Sequence, residues 1–180
     1  MTLEEVNLRL MNNSQREVVL TQWQRHQHND FEVDYDVSGE KDMLKGFLLK
    51  KGVWNPFLAS GRYHARYLFY HSDLFYGKTA MEIGSGTGLM SVVMAKYGAK
   101  KVIASDISES AVENTRENVN RYSLQKIVEV VKGDLFENIK EETALFAGSE
   151  GSPPLEKKIG NNTLYFSSFN RFTKGGKSFW

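Results

Sequence analysis

The sequence predicts an α/β protein built on a parallel sheet of the doubly wound type. Three observations predict it. Three short apolar runs alternate with two helix-like segments between Lys78 and Asp134, a glycine-rich loop follows the first run, and an aspartate closes the second. Alternation at this spacing needs crossover connections and therefore parallel strands. In such a sheet the glycine loop and the aspartate fall together at the carboxyl ends of neighbouring strands, where ligands bind.

The elements follow in order. Thr2-x-x-Glu5 and Ser14-x-x-Glu17 are capping-box patterns, and Val18, Val19 and Trp23, with Leu20 nearby, predict a short helix to about His28. Phe31, Val33, Tyr35 and Val37 alternate with polar residues, as in a strand or an extended arm. Gly46 and Gly52 interrupt the next apolar segment, and Asn55-Pro56 marks a turn. Arg62 to Leu74 reads as a helix with Ala65, Leu68 and Phe69 on one side. Thr79–Ile83 is the first buried strand. Leu89 to Tyr97 is a helix closed by Gly98, and Lys101–Ser105 is the second strand, ending on Asp106. Ser108 caps a helix through Asn120, with Glu109 early and Arg116 and Arg121 late, as the helix dipole favours. Ile127–Val131 is the third strand, followed by Gly133-Asp134.

The loop reads Glu82-Ile83-Gly84-Ser85-Gly86-Thr87-Gly88. Glycines here let the backbone turn sharply and approach a ligand without a Cβ in the way, and the next helix presents unpaired N–H groups. Asp106 lies 22 residues beyond Gly84, where a carboxylate can accept both ribose hydroxyls of an adenosine. The dinucleotide fingerprint would place its third glycine at Leu89, but here it comes one residue early, at Gly88. An NAD-type reductase is therefore disfavoured.

This acid-preceded G-x-G-x-G resembles the first motif of class I S-adenosylmethionine-dependent methyltransferases. Gly98, Ser105-Asp106-Ile107-Ser108, Ala111, Asn114 and Asn118 are similar to the release-factor glutamine and ribosomal-RNA methyltransferases, as is Gly133-Asp134-Leu135-Phe136. The resemblance covers roughly Tyr76 to Ile139. It implies a Rossmann-like sheet and S-adenosyl-L-methionine as cofactor. Gly84, Ser85, Gly86 and Gly88 would surround the amino-acid end of that cofactor, with Glu82 supporting the loop. Asp106 would hold the ribose, Ile107 would cover the adenine, and Asp134 would accept from the adenine amino group with Leu135 adjacent. The expected activity is methyl transfer to nitrogen or oxygen of a protein or RNA.

The family pattern then breaks. Amino-group methylating branches carry an Asn/Asp-Pro-Pro-aromatic motif after a fourth strand. The nearest match is Ser152-Pro153-Pro154-Leu155, after the short apolar run Thr143–Ala147, and it reads better as a surface loop. No catalytic residue carries over. Only 49 residues follow Val131, against about thirty for each βαβ unit, so seven strands do not fit. From Leu155 onward five basic residues face one acid, and Tyr165, Phe166, Phe169, Phe172, Phe179 and Trp180 crowd the text. Asn162–Phe169 is expected as one strand or a hairpin edge. The division is 1–75 (helical and extended region), 76–140 (cofactor-binding core) and 141–180 (atypical basic aromatic tail). The C-terminal side of the sheet is expected to be incomplete, truncated or altered, and inactive in this form as one reading. The alternative is a catalytically silent cofactor-binding or regulatory protein. An exposed sheet edge would offer a route to oligomers.

Composition bounds the rest. The 180 residues are 41% hydrophobic and 25% charged, with a net charge of +1 and no cysteine. A disulfide scaffold, a cysteine nucleophile and a thiolate metal site are excluded, and nothing in the charge demands nucleic acid. Apolar runs such as Tyr67–Tyr70 are too short to span a bilayer, and the first twenty residues lack a signal-like apolar core. A cytoplasmic location is expected. His26 and His28 read as solvated helix-end residues rather than metal ligands. His64 and His71, seven apart, are expected to pack near the cleft. Asn55-Pro56-Phe57 precedes the sheet where relatives carry a lid, with plain packing the better reading.

Overall fold

The computed structural model describes residues 29–57 and 61–134, helical positions 13–14, 17 and 20–21, and the backbone of strands at 144–147, 155–159, 162–166, 173–174 and 177–178. Thr2, Glu5, Val18, Val19, Trp23, His26, His28, Leu135 and Ser152-Pro153-Pro154 lie outside the described residues.

Two strands, β1 (Phe31–Asp36) and β2 (Met43–Leu49), form an antiparallel hairpin. Helix α1 (Gly61–Tyr70) and a single 3-10 turn (Ser72–Leu74) lead into the sheet. There β3 (Thr79–Ile83), α2 (Leu89–Lys96), β4 (Lys101–Asp106), α3 (Glu109–Arg121) and β5 (Val128–Lys132) alternate as expected. Five further strands carry the chain on: β6 (Ala144–Ala147), β7 (Leu155–Ile159), β8 (Asn162–Phe166) and β9 (Thr173–Lys174), which pairs with β10 (Lys177–Ser178).

The main sheet has the order β5-β4-β3-β6-β8-β7, all neighbours parallel except β7, which runs antiparallel to β8. The run at Asn162–Phe166 is thus one arm of a hairpin, and the short run at Ala144–Ala147 is the fourth parallel strand. β3 is buried from Ala80 to Ile83 and β4 from Val102 to Ser105, as central parallel strands covered on both faces should be. Every residue of α2 except Lys96 is buried, and the helix touches α1, α3, β3, β4 and β5. Its end is a Schellman turn: Gly98 stands at φ +110° and Ala99 N–H reaches the Met94 carbonyl at 2.9 Å. The same 6→1 bond, Leu124 to Val119 at 2.9 Å, closes α3, but the left-handed position there is Ser123, at φ +58°.

Two sequence expectations need correcting. Gly46 does not interrupt a segment; it sits inside β2 as the left-handed residue of a β-bulge (φ +63°), where Lys45 and Gly46 face the single residue Asp34. The Asp34 carboxylate accepts the Gly46 N–H at 2.8 Å, which pins the bulge. Ser108 does occupy the N-cap of α3, but its hydroxyl pairs with that of Ser110 at 2.9 Å and makes no cap bond. Its own N–H is held instead by Asp106, at 2.9 Å.

Candidate functional site

The site residues gather at the carboxyl ends of β3, β4 and β5. Where β3 ends, the Gly84 and Ser85 N–H groups both turn onto the Ser105 carbonyl of β4, at 2.8 and 3.0 Å. The loop then folds on itself through Gly88 N–H to Ser85 O, 2.7 Å. Gly84, Gly86 and Gly88 all have positive φ, so the tight path needs glycine. Two of them differ in what surrounds them. A Cβ on Gly86 would meet nothing within 4 Å, whereas one on Gly88 would stand 2.7 Å from Thr115 Cγ2. Gly86 therefore leaves open space beside the loop, and Gly88 lets α2 start hard against α3.

Asp106 closes the opposite side. One carboxylate oxygen accepts the Gly86 N–H and the other the Ser108 N–H, both at 2.9 Å. Each oxygen keeps a lone-pair direction for a further donor, which suits a pair of vicinal hydroxyls. Ile107, next along, is 67% exposed, unusual for an isoleucine in a protein with an otherwise well-covered core. Gly133 N–H donates to the Asp106 carbonyl at 3.1 Å and brings exposed Asp134 beside Asp106 at the adjoining strand end.

Glu82 lies beneath this floor, fully buried as the next-to-last residue of β3. Its carboxyl accepts the Ser91 N–H at 2.9 Å and the Ser91 hydroxyl at 2.5 Å, tying β3 to the first turn of α2. Burial pushes its pKa up to about 8 against the pull of both Ser91 bonds, and the Asp106 charge adds to the rise.

Support for the loop comes from α3. Thr115 is fully buried and its hydroxyl lies 3.1 Å from both the Gly86 carbonyl and the Ser85 hydroxyl. Thr115 has one proton, donated to Gly86, so Ser85 is the donor to Thr115. Asn118 spends both amide hydrogens on the carbonyls of Thr87 and Leu48, at 2.8 Å each, and accepts the Leu48 N–H at 2.8 Å. Asn114 accepts the Lys50 N–H at 2.8 Å and donates to Leu48 O at 3.0 Å. Alternate residues of a strand direct their polar groups to opposite edges. The edge of β2 turned away from β1 therefore finds its partners in two side-chain amides of a helix. Thr87 and Thr115 carried no mark of their own in the sequence. The readable signal was the polar trio 114, 115 and 118 on the same helical stripe as buried Ala111 and Val119.

Elsewhere, the Asn55 side chain accepts the Phe57 N–H at 2.9 Å, and the Phe57 ring packs on Tyr35 and Phe47 at 4.8 and 5.8 Å. His71 lies just past α1 with its ring 4.1 Å from that of Tyr67. Among the described residues no group of three or more His, Cys, Asp or Glu is placed to hold a metal, and no helix is long and apolar enough to cross a membrane.

Fold and loop together define a Rossmann-like core whose glycine spacing resembles that of methyltransferases. Similar proteins are known. The ribosomal protein L11 methyltransferase family matches residues 70–145. The ribosomal protein L11 methyltransferase of Desulforamulus reducens is 39% identical over 66 residues, which cover 37% of this chain and 21% of that protein. Protein arginine N-methyltransferase 1 of Caenorhabditis elegans is 42% identical over 65 residues, covering 36% and 18%. A solved S-adenosylmethionine-dependent methyltransferase from Aquifex aeolicus is 27% identical, with 45% of each chain covered and a TM-score of 0.38. Over this core the chain is similar to class I S-adenosylmethionine-dependent methyltransferases, and S-adenosylmethionine is the expected cofactor. It spans about a fifth of the length of these two curated relatives.

Proposed function

We propose that this chain binds S-adenosylmethionine at the Gly84–Gly88 loop and takes part in methyl transfer to nitrogen on a protein substrate. The observation that carries the reading is the Asp106 carboxylate, which joins the loop at Gly86 while keeping acceptor capacity toward the open space beside it. Asp106 would hold the ribose hydroxyls and Ile107 and Asp134 the adenine. The loop would receive the amino-acid end, with Gly86 the point of closest approach and Glu82 fixing the floor. When bound, the cofactor supplies an electrophilic methyl group; the chain's part is to hold and orient it. A protein acceptor is favoured over RNA by the named substrates of the two curated relatives, a ribosomal protein and arginine. The reading extends to a cytoplasmic location, to residues 76–140 as the cofactor core, and to self-association along the outer edge of β5.

A second reading is a catalytically silent cofactor-binding partner. It is favoured by the sequence after Thr143–Ala147, where the nearest match to the Asn/Asp-Pro-Pro-aromatic motif of amino-group methylating branches is Ser152-Pro153-Pro154-Leu155, which lacks both the amide or carboxylate and the aromatic ring. Methyl transfer to cell extract, followed by labelled methyl incorporation, separates the two.

The cofactor reading is tested by calorimetric titration with S-adenosylhomocysteine. Asp106→Ala removes a charged acceptor and should weaken binding by about ten- to a hundredfold, roughly 1.5–3 kcal/mol. A folded wild-type chain that ignores the ligand would sink the reading, as would an Asp106→Ala chain that binds equally well.

A further inference from the structure

The polar stripe of α3 serves two parts of the molecule at once. Thr115 holds only the loop, at Ser85 and Gly86; Asn114 holds only the hairpin, at Leu48 and Lys50; Asn118, between them in role, holds both. All three are fully buried, so no bond given up here is replaced by water without opening the structure. The Asn118 amide is saturated on the side facing Leu48 and on the side facing Thr87. If the hairpin lifts, Asn118 keeps one partner of three, and its planar head loses the orientation that aims it at the Thr87 carbonyl. The hairpin reaches the same helix again at its far end, where Arg121 bonds Glu32 and the Gly46 carbonyl, at 2.5 and 3.0 Å, and the Tyr122 hydroxyl donates to Lys45 O at 2.9 Å.

We propose that docking of the β1–β2 hairpin and ordering of the glycine loop are one coupled equilibrium, with Asn118 as the positioning residue that links them. Ligand on the loop then draws the hairpin down, and a docked hairpin tightens the ligand by the same factor. The ligand half of this statement rests on the cofactor reading above. The coupling itself is a property of the chain alone.

Asn114→Ala tests it, because Asn114 touches the hairpin and no residue of the loop. Amide hydrogen exchange on the full chain should rise at least tenfold at Gly86 and Gly88, while Val102 and Val128, bonded within the sheet region to Ile127 and Leu124, stay unchanged. Arg121→Gln loosens the hairpin from the surface without emptying a buried site, and should raise the same two amides two- to threefold. Unchanged loop exchange in both variants overturns the coupling. So does a rise shared equally by Val102 and Val128, which would report general destabilisation. With S-adenosylhomocysteine, Asn114→Ala should bind five- to tenfold more weakly than wild type, and equal affinity overturns the coupling. If wild type does not bind while loop exchange still rises, the coupling stands and the cofactor reading falls.

Discussion

Helices α2 and α3 both pack on β4 and β5 and end in the same turn, yet they are held by opposite means. Helix α2 is buried almost all round, and of its side chains only that of Ser91 spends a buried polar bond, on Glu82. Helix α3 buries six residues, half of them polar: Asn114, Thr115 and Asn118 beside Ala111, Val112 and Val119. Apolar contact is non-directional and tolerates repacking, whereas a buried amide accepts one arrangement. The first helix fills the space under the sheet; the second fixes where the loop and the hairpin sit.

The largest expected effect lies at the one polar bond of α2. The folded Glu82 carboxyl keeps its proton to about pH 8, the unfolded one to about 4.5, so the folded state binds more protons in between. Stability is full below about pH 4.5, falls as pH rises through that window, and levels off above 8. The slope approaches 1.4 kcal/mol per pH unit at most. Urea unfolding at several pH values should show this fall in wild type and a much flatter profile in Glu82→Gln.

Next, the two helices should answer differently to the same kind of change. Met94→Leu, within the apolar wall of α2, should cost under about 1.5 kcal/mol. Asn118→Leu should cost about 3 kcal/mol, since a similar volume leaves the Leu48 N–H and the Thr87 carbonyl buried without partners. Equal costs in chemical denaturation would erase the distinction between them.

The smallest effect is at the helix ends. Ser123→Gly should gain about 0.5–1 kcal/mol by placing glycine in the left-handed position that Gly98 already occupies on α2. The reverse change, Gly98→Ser, should lose more than that, because a Cβ there would stand 2.4 Å from the Tyr76 ring. A thermal midpoint that falls in Ser123→Gly would show that the serine does more than close the turn.

The part of the molecule legible in the sequence was the part whose constraints are local. Strand, glycine loop, helix and the next strand each carry their signal within a dozen residues, so β3 through β5 fall where the apolar periods place them. The hairpin was half legible. The alternation Phe31, Val33, Tyr35 announced β1, but Gly46 disguised β2, because a bulge glycine and a loop glycine look alike until Asp34 is seen on the Gly46 N–H. Asn114 and Asn118 stood out only by family resemblance. Their partners are 64 to 70 residues away, and no spacing rule reaches that far. At the site, the positions of Glu82, Asp106 and the glycines were readable from strand ends, whereas the support from Thr115 depends on how closely two helices approach.

The distance between Leu48 and Asn118 also sets a schedule for synthesis. The hairpin leaves the ribosome first, and the amides that cover its outer edge follow 70 residues later. At about 5–20 residues per second, that edge waits roughly 4–14 s for its partner. During that interval β2 is an uncovered strand with Leu44, Phe47 and Leu49, all buried once the chain is complete, still open to water. Aspartates 34 and 36 and Lys45, set among these residues, put charge on the waiting hairpin and discourage pairing with a neighbouring nascent chain.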